Sequence, residues 1–331
     1  MTKGDEDTQP LILILSHRDD STARRVEEQI RQRNHHVLLL DTADFPEWLT
    51  LAATLKQEHW QRTFTSDGMS YALSSIRSIY VRRPNHYQVR GDFPETLQVF
   101  LENEANHGFG GILRSLDCLW VNALEAQRLA GYKPRQLHIA REVGWSTPPT
   151  LITNDPLAVR TFFFEECQQE MIFKPLHGGF FLGRGSSYHV IYTSRVTLDH
   201  LKELDRVKGT AHLFQRSIKK HFEVRATVIG QTVLSVAIES QLSEASSVDW
   251  RASYKDLRYH IYDLPERIKE QCIQLVQRLG LVFGALDLIV TPDGEYVFLE
   301  CNSGGQWEWL AVETNLPFAQ TLAEVLITGK S

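Results

Sequence analysis

Gly284-Ala-Leu-Asp-Leu-Ile-Val290 and Tyr296-Val-Phe-Leu-Glu-Cys-Asn302 are two apolar runs on either side of the turn sequence Pro292-Asp-Gly294. This arrangement predicts an antiparallel β-hairpin near the end of the 331-residue chain. At the other end, Leu11 to Leu15 is continuously apolar, which is typical of a parallel strand buried on both faces. A helical pattern and a second short strand, Val37 to Leu40, follow it. The β-α-β order at one end and the hairpin at the other predict an α/β protein.

Composition and charge place the chain among soluble globular proteins. Hydrophobic residues make up 42% and charged residues 23%, which excludes a disordered, collagenous or coiled-coil chain. The 35 Lys and Arg residues against 41 Asp and Glu give a net charge of −6, which argues against a general nucleic-acid-binding protein. The early apolar run is too short to cross a membrane, and four widely spaced cysteines favour reduced thiols. We therefore expect a cytoplasmic protein with neither a nucleic-acid nor a membrane partner.

Three oxygen-bearing side chains occupy the predicted hairpin. Asp287 lies in its first strand, and Glu300 and Asn302 end its second strand. Residues two apart on a strand face the same side, so Glu300 and Asn302 are predicted neighbours, and antiparallel pairing can bring Asp287 beside them. Two carboxylates and an amide oxygen suit Mg²⁺, which usually keeps water and phosphate oxygens as its other ligands. The alternative, three polar residues facing solvent, fits less well because the surrounding sequence is strongly apolar.

Two lysines and a glycine-rich segment indicate an anion site. Lys133 begins a helical pattern, and Lys174 lies in the apolar run Met171 to Pro175. The segment His177-Gly-Gly-Phe-Phe-Leu-Gly-Arg-Gly185 follows at once. Glycines allow backbone N–H groups to approach phosphate oxygens closely, so Gly178 and Gly179 are candidate phosphate contacts. Most glycine-rich hairpin tips are only turns, but a lysine directly before this one favours the anion site.

Arg225 is a candidate for binding a phosphoryl group. It lies in the predicted strand Phe222 to Ile229, on the same face as Glu223. Its planar guanidinium could bind a transferring phosphoryl group or an acyl phosphate. A salt bridge between Glu223 and Arg225 is an equally good interpretation of the pattern.

Two further pairs are candidate substrate contacts. Arg82 and Arg83 end a predicted strand, where they could hold a carboxylate or simply solvate the strand end. Asp249 and Arg251 flank Trp250 after a polar loop, which suggests a substrate or lid function.

The order of these residues along the chain resembles the ATP-grasp superfamily. More closely, the chain resembles the ligases that mature microviridin-type peptides, the graspetides (MvdC- and MvdD-like ATP-grasp ligases). The similar stretches run nearly end to end. They include Leu13-Ile-Leu-Ser-His-Arg-Asp19, Tyr80-Val-Arg-Arg83, Lys133-Pro-Arg-Gln-Leu-His-Ile-Ala-Arg141, Phe222-Glu-Val-Arg225, Val248-Asp-Trp-Arg251, Gly284-Ala-Leu-Asp287 and Tyr296-Val-Phe-Leu-Glu-Cys-Asn302.

The resemblance implies a domain order. A pre-ATP-grasp α/β domain would lie at residues 11–125, after residues 1–10, whose polar and acidic sequence predicts a disordered tail. An ATP-grasp domain would follow at residues 126–331. Its central lobe would span about residues 147–215 and its C-terminal lobe about 216–331, with ATP held between their sheets.

The resemblance also assigns residues to the cofactors ATP and Mg²⁺. Lys133 and Lys174 would contact ATP phosphates, and Arg225 would steady the transferred phosphoryl group. The catalytic residues would thus be Arg225, Lys174 and Asp287. The metal ligands would be Asp287, Glu300 and Asn302. The hinge around adenine would consist of Gln215, Arg216, Ser217 and Ile218.

The reaction of the family activates an Asp or Glu side chain of a ribosomal precursor peptide as an acyl phosphate. A Thr or Ser hydroxyl, or a Lys amine, of the same peptide then attacks and closes an ω-ester or ω-amide ring. The partner would be that precursor, with its leader and core. The glycine-rich hairpin and the segment after it are our candidates for a leader groove, and a homodimer is a further expectation carried over from the family.

Two other functions stay open at this point. One is a different ATP-grasp carboxylate–amine ligase, which joins free amino acids or adds residues to a protein tail. The other is a non-catalytic module that binds a nucleotide or a peptide. The N-terminal and Asp-Trp-Arg similarities favour the macrocyclase, and the filled catalytic positions argue against the non-catalytic module.

Overall fold

The structure is a computed structural model that describes residues 9–57, 59–182, 188–242, 248–252 and 257–330. The predicted disordered tail falls outside these residues up to residue 8, as does the end of the glycine-rich segment from residue 183 onward. None of the helices in the described parts of the chain is long and apolar enough to cross a membrane.

The strands and helices are numbered here in chain order. The strands are β1 Leu11–Ser16, β2 His36–Leu40, β3 Leu49–Lys56, β4 His59–Ser66, β5 Met69–Ala72, β6 Ile76–Arg83, β7 Leu119–Val121, β8 Thr150–Thr153, β9 Met171–Lys174, β10 Phe180–Leu182, β11 Tyr188–Val190, β12 Ser194–Val196, β13 His212–Arg216, β14 Phe222–Ile229, β15 Thr232–Ile238, β16 Tyr259–Ile261, β17 Phe283–Val290 and β18 Tyr296–Asn302. The helices are α1 Ser21–Gln32, α2 Glu95–Ala105, α3 Gly111–Arg114, α4 Leu124–Ala130, α5 Lys133–Glu142, α6 Pro156–Thr161, α7 Glu266–Arg278, α8 Glu308–Thr314 and α9 Phe318–Thr328.

The chain divides into two compact units, one running to Leu124 and resuming at Pro317, the other spanning Glu125–Leu316. The last helix, α9, therefore belongs to the first unit, whereas the sequence predicts a single domain at residues 126–331. Within that unit, the Ser78 hydroxyl of β6 donates to the carbonyl of Leu326 in α9 at 2.7 Å. The predicted functions of the two domains stay predictions.

A parallel sheet of order β2-β1-β6-β7 forms the centre of the first unit. All six residues of β1 are buried, as the continuous apolar run predicts. Asp20 caps α1, because its carboxylate accepts from the backbone N–H groups of Thr22 and Ala23. A separate antiparallel sheet, β3-β4-β5, was not predicted, since it is assembled from mostly half-exposed or exposed residues with little apolar pattern.

The second unit contains two antiparallel sheets, of order β12-β9-β13-β8 and β16-β15-β14-β17-β18, and the small hairpin β10-β11. The predicted hairpin β17-β18 is confirmed by the pairing of Asp287 with Glu300 and of Val290 with Tyr296. Its turn ends at Gly294, whose φ of +81° is accessible to glycine without strain. The α/β fold class predicted from the sequence is confirmed.

The strand β17 has two different faces, although all eight of its residues are buried. Leu286, Leu288 and Val290 pack in the core beneath α7, together with Leu275 and Val276 of that helix. Because successive residues alternate, Asp287 points to the opposite face. The apolar packing of one face therefore fixes where the carboxylate on the other face lies.

A β-bulge in β18 lets the apolar residues of this strand face the core while its polar residues face the other side of the sheet. Asp287 pairs with Glu300, but the next residue, Leu288, pairs with Phe298, so that Leu299 is the extra residue. Phe298 and Cys301 both lie in the core although they are three residues apart. Glu300 and Asn302 can therefore share the polar face without exposing Phe298.

We expect Leu288→Ala to lower the free energy of unfolding by about 2–5 kcal/mol, because it leaves a cavity beneath α7. Chemical denaturation followed by circular dichroism measures the loss. Leu157→Ala is the matched control, since this leucine is 73% exposed, and its effect should stay below about 0.5 kcal/mol. Equal effects of the two substitutions would contradict the described core.

Candidate functional site

Three charged residues stand side by side across three neighbouring strands of the second unit. Arg225 of β14 pairs in register with Asp287 of β17, and Asp287 pairs with Glu300 of β18. The Arg225 guanidinium donates from Nη1 to Asp287 Oδ1 at 2.5 Å, and both side chains are at least nine-tenths buried. The sequence left a Glu223–Arg225 salt bridge open, but Glu223 instead accepts from Lys220 at 3.0 Å.

Arg251 joins the two carboxylates from outside the sheet. Its Nη2 lies 2.5 Å from Asp287 Oδ2 and 2.8 Å from Glu300 Oε1. Its backbone N–H donates to Asp249 Oδ1 at 3.1 Å, and Asp249 Oδ2 accepts from the backbone N–H of Thr193 at 3.2 Å. Burial alone would lower the pKa of Arg251, but the charges of Asp287, Glu300 and Asp249 outweigh it and raise that pKa.

Lys133 reaches the same cluster from the start of α5, where its ammonium group donates to Glu300 Oε2. Three residues along the helix, the Gln136 carboxamide makes two hydrogen bonds of 2.8 Å to the backbone of Cys301. Sequence reasoning missed Gln136, although its spacing places it on the same helix face as Lys133. The two bonds fix α5 against β18, and so hold Lys133 beside Glu300.

The charge state of Glu300 follows from these neighbours. Burial alone would raise its pKa, but Lys133, Arg251 and Lys174 hold the pKa of this carboxyl well below its usual 4.5. For Lys174 in β9, burial is the larger effect and disfavours the charged form. Burial lowers the pKa of Lys174 to about 8, with Glu300 acting against and Lys133 adding to that shift.

The predicted metal ligands form a partial cluster. Asp287 and Glu300 turn one oxygen each toward a single cationic nitrogen of Arg251. Asn302 follows on the same strand, paired in register with Ala285. In the described parts of the chain, no three His, Cys, Asp or Glu residues converge as a metal site. Two carboxylates and an amide are nevertheless a hard-oxygen set, and a cation already stands between the carboxylates, so the residues present fit Mg²⁺.

The predicted adenine hinge lies where β13 ends. The buried Gln215 donates from Nε2 to Thr150 Oγ1 at 2.9 Å, while its Oε1 has no hydrogen-bond partner. The backbone N–H of Arg216 donates to Pro149 at 3.0 Å, and that of Ser217 to Glu170 at 2.7 Å. Ile218 follows directly. An unpaired buried amide oxygen leaves an acceptor for a ligand, which fits the prediction without testing it.

The two candidate glycines differ in their surroundings. The carbonyl of Gly179 accepts from the backbone N–H of Ile191 at 2.5 Å, and a Cβ at this position would lie 2.3 Å from the Ile191 oxygen. Glycine is therefore required at residue 179 by close backbone contact. Gly178 lies in the exposed loop before it. Their predicted contact with phosphate stays a prediction.

Arg82 and Arg83 belong to the first unit, at the end of β6. The buried Arg82 lies 3.7 Å from Asp20 Oδ2, and Ser16 donates to that same oxygen at 2.8 Å. Burial and the neighbouring Arg82 charge lower the pKa of Arg83. Arg82 is thus paired within its own unit, and the substrate role of both arginines stays a prediction.

The sequence and the structure both resemble known ATP-grasp proteins. Residues 11–128 match the family described as MvdD pre-ATP grasp domain. The structure resembles a RiPP-associated ATP-grasp ligase from Chryseobacterium gregarium in complex with ADP and a leader and core peptide, at 26% identity and a TM-score of 0.88, covering 97% of this chain and 98% of that one. No curated protein matches the chain.

Two macrocyclases from Microcystis aeruginosa MRC are also similar. MdnC, bound with the precursor peptide MdnA, is 28% identical with a TM-score of 0.82, covering 96% of this chain and 99% of that one. MdnB is 30% identical with a TM-score of 0.75, over the same shares of both chains. The similarity therefore extends over both units.

We expect Glu300→Gln to lower the free energy of unfolding at pH 7 by about 1.5–3 kcal/mol, because it replaces the ionised partner of Lys133 and Arg251. A depressed carboxyl pKa stabilises the fold above the ordinary value near 4.5 and loses that contribution as pH falls toward the folded value. The difference between wild type and variant should therefore shrink below about pH 4.5.

Denaturation curves between pH 3 and pH 8 measure this difference. Glu142→Gln is the matched control, since Glu142 forms an exposed ion pair with Arg278, which is worth at most about 1 kcal/mol. A Glu300→Gln effect that is independent of pH would contradict the depressed pKa.

Proposed function

Because the chain belongs to the microviridin-type (graspetide) ATP-grasp ligases, we propose that it closes rings in a ribosomal precursor peptide. The proposed substrate is an Asp or Glu side chain of the core, activated by ATP and joined to a Thr, Ser or Lys side chain. The three-residue ladder Arg225–Asp287–Glu300, with Lys133 and Arg251 converging on it, is the observation that supports this most directly. Positive and hard-oxygen groups in one place suit a triphosphate and its cation.

The chain's own residues divide into those that bind the nucleotide and those that bind the metal. Lys133 and Lys174 would hold phosphate oxygens, and Gln215 to Ile218 would hold adenine. Asp287, Glu300 and Asn302 would hold Mg²⁺. When bound, that ion would neutralise phosphate charge. Lys133 pairs with Glu300 in this structure, so it would turn from that carboxylate to a phosphate.

The first step is phosphoryl transfer to the peptide. A core carboxylate oxygen attacks the γ-phosphorus, the bond from that phosphorus to the ADP oxygen breaks, and an acyl phosphate forms. Negative charge builds up on the transferred group, and the Arg225 guanidinium would stabilise it. Its position in the buried face of a central strand fixes that charge in space.

The second step closes the ring. A hydroxyl or amine of the same peptide attacks the acyl carbon, the carbon–oxygen bond to phosphate breaks, and the nucleophile's proton leaves with solvent or phosphate. The product is an ω-ester or ω-amide, together with ADP and inorganic phosphate. The enzyme needs no nucleophile of its own, because phosphorylation already provides a leaving group.

Mass spectrometry of a precursor co-expressed with this protein tests the function. The precursor is the short, Thr- and Asp- or Glu-rich reading frame expected beside this gene. Each ring removes one water, a loss of about 18 Da, because the reaction is a condensation. An unmodified precursor, with ATP consumed on free amino acids instead, would contradict the proposal and favour a different carboxylate–amine ligase.

Arg225→Lys should lower the rate of ring formation by about 100-fold, since lysine keeps the charge but loses the planar donor pair that faces the phosphoryl group. Peptide-dependent ADP release measures the rate, and circular dichroism checks that the variant is folded. Arg278→Lys is the control, because Arg278 pairs with Glu142 on an exposed surface. Unchanged ADP release by Arg225→Lys would remove this residue from the mechanism.

Lys174 makes the reaction sensitive to pH. A lysine whose pKa is lowered to about 8 loses its charge as pH rises through that value. The ratio kcat/KM for ATP, which reports ionisations of the free enzyme, should therefore fall above about pH 8. Lys174→Arg should remove this fall, because arginine stays charged. An identical pH profile for the two proteins would exclude Lys174 as the titrating group.

A further inference from the structure

One nitrogen of Arg251 lies between the two carboxylates that would hold the proposed metal. Arg251 Nη2 lies between Asp287 Oδ2 and Glu300 Oε1, at 2.5 Å and 2.8 Å. The other oxygen of each carboxylate is taken by a different cation, since Arg225 donates to Asp287 Oδ1 and Lys133 to Glu300 Oε2. The two oxygens that face each other are thus bridged by Arg251.

We propose that Arg251 is an internal counter-ion for the metal site, and that binding of a divalent cation between Asp287 and Glu300 displaces its guanidinium. This inference rests on the metal ligands of the proposed function. It adds that a residue of the chain itself competes with the cation for the two carboxylates, so that cation binding and movement of Arg251 are one coupled event.

A counter-ion is required because two neighbouring carboxylates are held on one largely buried sheet face. Asp287 and Glu300 pair directly in register, and their side chains are 9% and 19% exposed. Like charges this close would repel strongly in such a place. A divalent cation would bring twice the charge to the same two carboxylates and would therefore be able to replace the guanidinium.

Arg251 can leave more easily than the other two cations. Its side chain is 33% exposed, whereas that of Arg225 is 5% exposed within the central strand β14. The side chain of Lys133 is less exposed, at 21%, and in the proposed function it turns away from Glu300 only toward a bound phosphate. Arg251 belongs to the short helical turn Trp250–Ala252, whereas Arg225 belongs to a strand of the sheet.

A displaced Arg251 would still have partners. Its Nη1 lies 3.6 Å from Asp249 Oδ1, and its guanidinium carbon lies 5.0 Å from the Trp250 ring centroid. Asp249 is itself held by the backbone of Thr193. Movement of the guanidinium therefore gives up the contacts with Asp287 and Glu300, keeps the one with Asp249, and changes the surroundings of Trp250.

The first test is binding of Mn²⁺ alone to the full chain, followed by electron paramagnetic resonance of the free ion. Arg251→Gln should bind Mn²⁺ about tenfold more tightly than wild type, which corresponds to about 1.4 kcal/mol, because the cation no longer competes with a guanidinium. Arg278→Gln, which removes an exposed arginine elsewhere in the same unit, should bind like wild type. Equal affinities of wild type and Arg251→Gln would overturn the proposal.

The second test needs no variant of Arg251 and so stands even if that variant does not fold. Addition of Mg²⁺, at concentrations that displace Mn²⁺, should change the tryptophan fluorescence of wild type, and Trp250→Phe should lose that change. An unchanged wild-type spectrum would overturn the proposal. Neither test contains ATP or peptide, so a protein that binds metal in this way but closes no ring would contradict the proposed function alone.

Discussion

The structure of the second unit depends on placing two carboxylates side by side on the buried face of a sheet. Asp287 and Glu300 pair directly across β17 and β18, and their mutual repulsion has to be balanced within the protein. Arg225, Arg251 and Lys133 provide that balance, each from a different element. The cost of burying charge thus explains why a helix start, a strand and a loop converge at one point.

The apolar core under α7 makes this concentration of charge possible. Because β17 packs Leu286, Leu288 and Val290 against that core, its register cannot slip by one residue without turning Asp287 inward. In the neighbouring strand β18, the bulge at Leu299 likewise fixes which residues face the core and which face the charged side of the sheet. Apolar packing on one face of the sheet therefore fixes the positions of the charged side chains on the other face.

The sequence predicted the β17-β18 hairpin, the α/β class and the closeness of Asp287 and Glu300, because turn residues and strand periodicity are local signals. It left the partner of Arg225 open between Glu223 and a bound ligand, and Arg225 pairs with Asp287 instead. It missed the sheet β3-β5, the bulge and the position of α9, which all depend on contacts between distant segments. The nucleotide and substrate roles depend on ligands and could not follow from pattern alone.

The contact between Gln136 and Cys301 has a consequence for which sequences can keep this architecture. Gln136 gives a hydrogen to the carbonyl of Cys301 and takes one from its amide, so it recognises main chain and ignores the cysteine side chain. The two bonds therefore place no requirement on the side chain of residue 301, which packs in the apolar core. They do require a carboxamide at residue 136, because its side chain donates and accepts at once, whereas an ionised glutamate would set one of its oxygens against the carbonyl oxygen of Cys301.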